Sequence, residues 1–290
     1  MIKPNLFIIG ASKCGTTSLW YMLKQHPDVF LATPKEPLFF SFSNYQDNLK
    51  WYEGLYNNVK MEKIIGEASP VYSETTLIPE IPQRIYDYNS EAKIIYIVRE
   101  PIDRLKSVWR QTLSTGHWHK LVYKKYCDID VPIMPKDFIK AVYEYPSYLE
   151  ATKYWTNLNN YREFFNEKNI LLLFFEDLKT NPQKLYSKVC SFLNIEPHIA
   201  KTNFEKKNDS KGKTMERIFF AKLKNTKLIK YIFKLFLIKI KLNSNLLRKK
   251  IPYEVKLNRK QRDEIITILK KETTNILYYG KKPLDFWDLK

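Results

Sequence analysis

Residues Gly10 to Thr17 read G-A-S-K-C-G-T-T, between the apolar run LFIIG and a stretch that begins TTSLWYML. A glycine-bearing loop that ends a strand and opens a helix turns backbone N–H groups and the positive end of the helix dipole toward an anion, so its chemistry is phosphate binding. Gly10 and Gly15 let the backbone approach closely, Lys13 adds a point charge, and Thr16, Thr17 and Ser18 add hydroxyl donors around Cys14. In a Walker A loop the lysine follows the second glycine, whereas here Lys13 precedes Gly15 and a threonine follows it, which weakens a nucleotide kinase or nucleotidase reading. A second cationic candidate is Arg99, in AKIIYIVREPIDRLKSVW, with Ser107 eight residues on. A planar, bidentate phosphate donor is useful there, because parallel sheets bind ligands at the carboxyl edge of their strands. No carboxylate pair, Ser/His/Asp arrangement or metal-ligand spacing stands out in the sequence, and no metal is expected.

The elements that must hold these residues are legible from hydrophobic pattern. LFIIG reads as a strand, and the stretch after the loop carries Leu19, Met22 and Leu23 at helical spacing until Pro27. AKIIYIVRE at 92–100 is a β-branched run like a buried parallel strand, followed by a helix that starts at Pro101 with Leu105, Val108 and Trp109 on one face. NILLLFFED at 169–177 precedes a third helix bearing Leu185, Val189 and Phe192. Three strand-to-helix units predict an α/β fold, an open parallel sheet flanked by helices, within one domain over 1–290. Residues 213–250 are apolar but interrupted by lysine, too charged to span a bilayer, and predict a basic amphipathic helical segment; a C-terminal helical tail closes at Gly280.

Taken together these motifs resemble the sulfotransferase superfamily, whose P-loop-like fold carries the same strand, G-x-x-K-x-G-T-T and helix. The likeness runs in order over residues 6–212, with a weaker one at 262–287. It implies 3′-phosphoadenosine 5′-phosphosulfate as donor, with Lys13 at the bridging oxygen and sulfuryl group and Cys14 to Ser18 on the 5′-phosphate. It also implies that Arg99 and Ser107 hold the 3′-phosphate, and that Lys211-Gly212 in NDSKGKT is the family's mobile loop closing on the same group. ATPKEPLFFS at 32–41 is similar to the segment of carbohydrate sulfotransferases in which a glutamate before a Phe-Phe pair is the general base, which falls on Glu36. Lys35 and Lys13 would act against any desolvation by the nearby Phe39 and Phe40, and the sequence does not sign the net effect. The histidine base of the small-phenol branch is missing from IIGEASPVYSE, and where some glycan-branch members carry a lysine after the glutamate, Glu67 is followed by Ala68. Of the histidines, His26 and His198 read as structural or solvent-facing, and His117 and His119, flanking Trp118, could line an acceptor cleft.

Composition bounds the rest. A chain of 290 residues that is 44% hydrophobic with only 7 glycines excludes disorder and collagen-like repeats. The start MIKPNLFIIG does not read as a signal peptide, and three widely spaced cysteines suit a reducing setting, so a cytoplasmic location is expected, with peripheral placement at the inner membrane surface as a further option. The net charge of +18 is concentrated: residues 213–250 hold twelve Lys or Arg against the single acid Glu216. Such a segment attracts anionic partners, and the expected ones are a hydroxyl-bearing glycan acceptor and an anionic membrane surface, with no nucleic acid. A basic nucleic-acid or anionic-surface binding protein with a vestigial loop is the non-enzymatic alternative.

Overall fold

β1 (Leu6–Gly10), β2 (Val29–Leu31), β3 (Ile64–Ala68), β4 (Lys93–Val98) and β5 (Ile170–Phe174) form an all-parallel sheet in the order β2-β3-β1-β4-β5. This computed structural model describes residues 2–115, 120, 123–124, 127–204, 214–216, 248–252 and 254–289. β1 and β3 are buried along their whole length, as strands covered on both faces must be. Leu6 pairs with Gly66 on one side and with Lys93 on the other, and Ile8 with Ala68 and Ile95. That register brings Gly10, Ala68 and Val98 to one carboxyl edge, where the expected ligand residues emerge.

Around the sheet run α1 (Thr16–Leu23), α2 (Leu49–Gly54), α3 (Ile81–Tyr88), α4 (Pro101–Thr115), α5 (Phe138–Glu144), α6 (Pro146–Glu150), α7 (Tyr154–Arg162), α8 (Phe175–Thr180), α9 (Pro182–Leu193) and α10 (Arg259–Tyr279). Their ends follow local chemistry. Pro101 opens α4, where its missing N–H has no intrahelical acceptor to lose. Asn181 caps α9 by accepting from the Lys184 N–H, and Asn258 and Gln261 form a reciprocal capping box at α10.

The principal core lies on the sheet, and a second apolar cluster joins Ile102, Leu105 and Trp109 of α4 to Phe138 and Val142 of α5 and Ile265 and Leu269 of α10. α4 therefore packs its apolar stripe on the second cluster, beside the sheet's carboxyl edge. At the two ends of the expected helical segment Thr214–Glu216 and Arg248–Lys250 pair as antiparallel strands; 213 and 217–247, on which the expected helix rests, lie outside the described residues.

Candidate active site

The loop at 10–17 is shaped by two glycines that no other residue could replace unchanged. Gly10 has φ +150 and packs so closely on the turn at 70–73 that a Cβ would lie 2.2 Å from Ser73 Oγ. Gly15 has φ +98, and its Cβ would lie 2.8 Å from Leu178 and 2.9 Å from Phe175. Gly15 is also the N-cap of α1, with no side-chain cap and no acidic residue in the first turn. The first N–H groups of a helix have no intrahelical acceptor, so this terminus is fit for an anion in the way the fold of a phosphate site requires. Cys14 contributes backbone only: its thiol is buried beside Tyr154 and burial pushes its pKa up to about 11.

One face of α4 is fastened to that loop. The buried Arg104 donates from Nε to Ser12 O at 3.3 Å and from Nη1 to Tyr148 O at 3.2 Å and Thr152 Oγ1 at 2.7 Å. Seven residues along the helix, Gln111 Oε1 accepts from Lys13 Nζ at 3.3 Å. The buried Ser107 lies between Arg104 and Gln111 at helical spacing on the same face of α4. Arg99, just beyond β4, does not stand bare: its Nη2 is 2.9 Å from Asp103 Oδ2, its guanidinium lies over the Phe175 ring at 4.8 Å, and its carbonyl accepts from Tyr154 OH at 2.9 Å.

The segment after β2 carries Glu36, whose side chain is 48% exposed and whose Oε1 is 2.7 Å from Lys35 Nζ. The expected desolvation by the Phe-Phe pair is corrected: Phe39 and Phe40 are wholly buried, Phe39 stacked on Tyr52 at 4.1 Å, so the rings anchor the segment in the core and leave Glu36 at the surface. Ala68 N donates to Lys35 O at 3.4 Å, and the turn at 70–73 touches both Gly10 and, through Tyr72, Phe40. The Glu36 segment and the phosphate loop are thereby joined through the end of β3.

Three buried ionisable groups here had no burial or partners assigned from the sequence, and two of them, Glu74 and Arg104, were not singled out there at all. Glu67 accepts from Tyr52 OH at 2.7 Å, Ser69 Oγ at 2.5 Å and Tyr72 OH at 3.0 Å; burial raises its pKa to about 7 although those hydroxyls pull it down. Glu74, hydrogen-bonded by Tyr123, is likewise raised to about 7 by burial. Arg104 is the third. A carboxylate inside the apolar run IIGEA and an arginine beside Leu105 in the buried stripe of α4 were the available signals. His26 proves structural, bonded to Glu196 O and Asp28 N and packed on His198. Lys211, Gly212, His117 and His119 lie outside the described residues. Among the described residues no group of three His, Cys, Asp or Glu is placed to hold a metal ion.

The chain is similar to known proteins. Heparan sulfate glucosamine 3-O-sulfotransferase 5 of mouse is 29% identical over 209 residues, 69% of this chain and 56% of its own length, so the chain spans about half the length of that curated relative. The membrane-associated sulfotransferase kil1 of Dictyostelium discoideum is 35% identical over 114 residues, 38% of this chain and 23% of its own. The crystal structure of a sulfotransferase from Alicyclobacillus acidocaldarius superposes with a TM-score of 0.62 at 20% identity, covering 99% of this chain and 100% of that one, which shows a common fold. The sulfotransferase domain family matches residues 3–250, and the chain belongs to that family.

Proposed function

We propose that the protein transfers a sulfuryl group from 3′-phosphoadenosine 5′-phosphosulfate to a hydroxyl of a carbohydrate acceptor. The observation that carries this reading is the uncapped N-terminus of α1, opened by Gly15 and bound through Ser12 and Lys13 to the α4 face that bears Ser107. The donor supplies an activated sulfuryl group on its 5′-phosphate. The backbone of Cys14 to Ser18 would hold that phosphate, and Lys13 would leave the neutral Gln111 to offset charge on the leaving group. Arg99 and Ser107 would hold the 3′-phosphate, with Lys211-Gly212 closing over it. Glu36, at the surface where an acceptor can reach it, would take the hydroxyl proton as the oxygen attacks sulfur.

A glycan acceptor draws support from the family relatives that carry glycan names, and the basic stretch at 213–250 suits an acidic chain. The free thiols Cys14, Cys127 and Cys190 suit a reducing compartment, and no helix among the described residues is long and apolar enough to cross a membrane. The test has two steps. Adenosine 3′,5′-bisphosphate should raise the thermal midpoint where AMP does so far less, and radiolabelled donor should then label a glycan panel. Equal stabilisation by AMP, or by ATP only with Mg²⁺, would favour the kinase reading instead; no nucleotide effect alongside tight nucleic-acid binding would favour the binding protein.

A further inference from the structure

The Glu36 segment is held by hydrogen bonds that converge on one buried carboxylate. The Leu38 N–H donates to Ser69 Oγ at 3.1 Å, and Ser69 Oγ in turn donates to Glu67 Oε2 at 2.5 Å. The Phe40 N–H donates to Tyr72 OH at 3.2 Å, and Tyr72 OH donates to Glu67 Oε1 at 3.0 Å. Tyr52 OH, whose ring stacks on Phe39, donates to the same Oε1. The amides of Leu38 and Phe40, on either side of Phe39, thus reach Glu67 through one hydroxyl each. The arrangement has backbone consequences, since Leu38 adopts φ +60, a left-handed conformation that a non-glycine residue keeps only where its surroundings fix it.

From this geometry we infer that Glu67 is a positioning residue for the acceptor-side carboxylate: through Ser69 and Tyr72 it fixes the backbone at 38–40 and so the place from which Glu36 acts. This rests on the reading of Glu36 as base. The pattern holds for either protonation state of Glu67. As an ion it accepts three hydroxyl protons. As a neutral acid protonated on Oε2 it donates to Ser69 Oγ, which still has a lone pair for the Leu38 N–H, and Oε1 still accepts from both phenols. A glutamine reproduces the neutral pattern, its amide oxygen facing the phenols and its NH₂ facing Ser69. A leucine of similar size reproduces none of it and leaves buried hydroxyls without an acceptor.

The experiment compares full-length Glu67→Leu, Glu67→Gln, Ser69→Ala and Tyr72→Phe by amide hydrogen exchange, turnover and affinity for adenosine 3′,5′-bisphosphate. Glu67→Leu should speed exchange at Leu38 and Phe40 by about tenfold or more and lower kcat without changing nucleotide affinity, and Glu67→Gln should recover most of both. Ser69→Ala should release the Leu38 amide and Tyr72→Phe the Phe40 amide, each sparing the other, which keeps the test available if Glu67→Leu does not fold. Parental exchange at both amides in Ser69→Ala and Tyr72→Phe overturns the inference, as does a Glu67→Gln variant no better than Glu67→Leu. Turnover of Glu36→Gln decides the base separately: parental turnover there removes Glu36 from its role while the exchange data still decide what Glu67 holds.

Discussion

Arg99, proposed to hold the 3′-phosphate, is already paired, with Asp103 on one side of its guanidinium and the Phe175 ring beneath it. Asp103 is 55% exposed, so this is a surface ion pair of small net worth that a phosphate dianion can displace at little cost. The planar fork stays oriented by the aromatic face meanwhile. Arg99→Ala should therefore weaken adenosine 3′,5′-bisphosphate binding by about 1.5–3 kcal/mol while AMP binding changes little, measured by calorimetric titration of both ligands. Retained discrimination between the two would remove Arg99 from the 3′-phosphate. Glu36 differs in that its partner Lys35 keeps it oriented while its exposure keeps it reachable. Glu36→Gln preserves shape and loses proton acceptance, so single-turnover sulfuryl transfer should fall by roughly 10²–10⁴ with nucleotide affinity intact. A parental rate would send the search to Glu67 and the 117–119 segment.

At the scale of elements, the loop depends on Gly15 in two independent ways, through its positive φ and through the space a Cβ would need against Phe175 and Leu178 of α8. Gly15→Ala should destabilise the protein by at least about 2 kcal/mol in urea unfolding and also abolish the thermal shift on nucleotide addition, since the N–H groups it aims belong to the first turn of α1. An alanine variant that still responds to nucleotide would show that the loop tolerates another shape. The same scale shows what could be read in advance. β1, β4 and β5 were legible because each is a run of five or six residues, nearly all apolar and buried, followed by a helix with an apolar stripe. β2 was not, because Val29–Leu31 is three residues long and has no period to detect; β3 was not, because Glu67 interrupts its apolar run. The phosphate loop was legible since its chemistry is local in sequence, eight residues that need only a strand before and a helix after. The cage around Glu67 draws hydroxyls from positions 52, 69 and 72, and the Arg104 bonds draw acceptors from 12, 148 and 152. Such clusters exist only once packing has brought the segments together, so pattern alone carries no trace of them.

Over the whole molecule, charge acts through two separate populations. The first is the basic stretch at 213–250, where reversing Lys230, Lys234 and Lys241 to glutamate should weaken retention on an acidic polysaccharide or on anionic vesicles and flatten its salt dependence, with nucleotide binding unchanged. Unaltered retention on both would leave that stretch a purely structural part. The second population lies inside or half inside the protein: the buried Glu67 and Glu74 and the half-buried Glu100 each have a pKa raised from 4.5 to about 7, chiefly by loss of solvent. Between those two values the folded protein binds more protons than the unfolded chain, so stability is greatest below 4.5 for these groups and is lost as pH rises through about 7. Glu167 works the other way: burial raises its carboxyl more than any other single cause, but the Tyr279 hydroxyl and Arg162 together outweigh it and leave it lowered, so its contribution is lost on acidification below the ordinary carboxylate value. The opposing signs place maximum stability on the mildly acidic side of neutrality. The thermal midpoint should fall between about pH 5.5 and about pH 8, and Glu67→Gln, which cannot ionise, should remove part of that fall while leaving the general repulsion among the surplus cations in place. A parent and variant with identical pH slopes would mean that Glu67 is as well solvated in the folded protein as in the unfolded chain, contrary to its burial beneath Tyr52 and Tyr72.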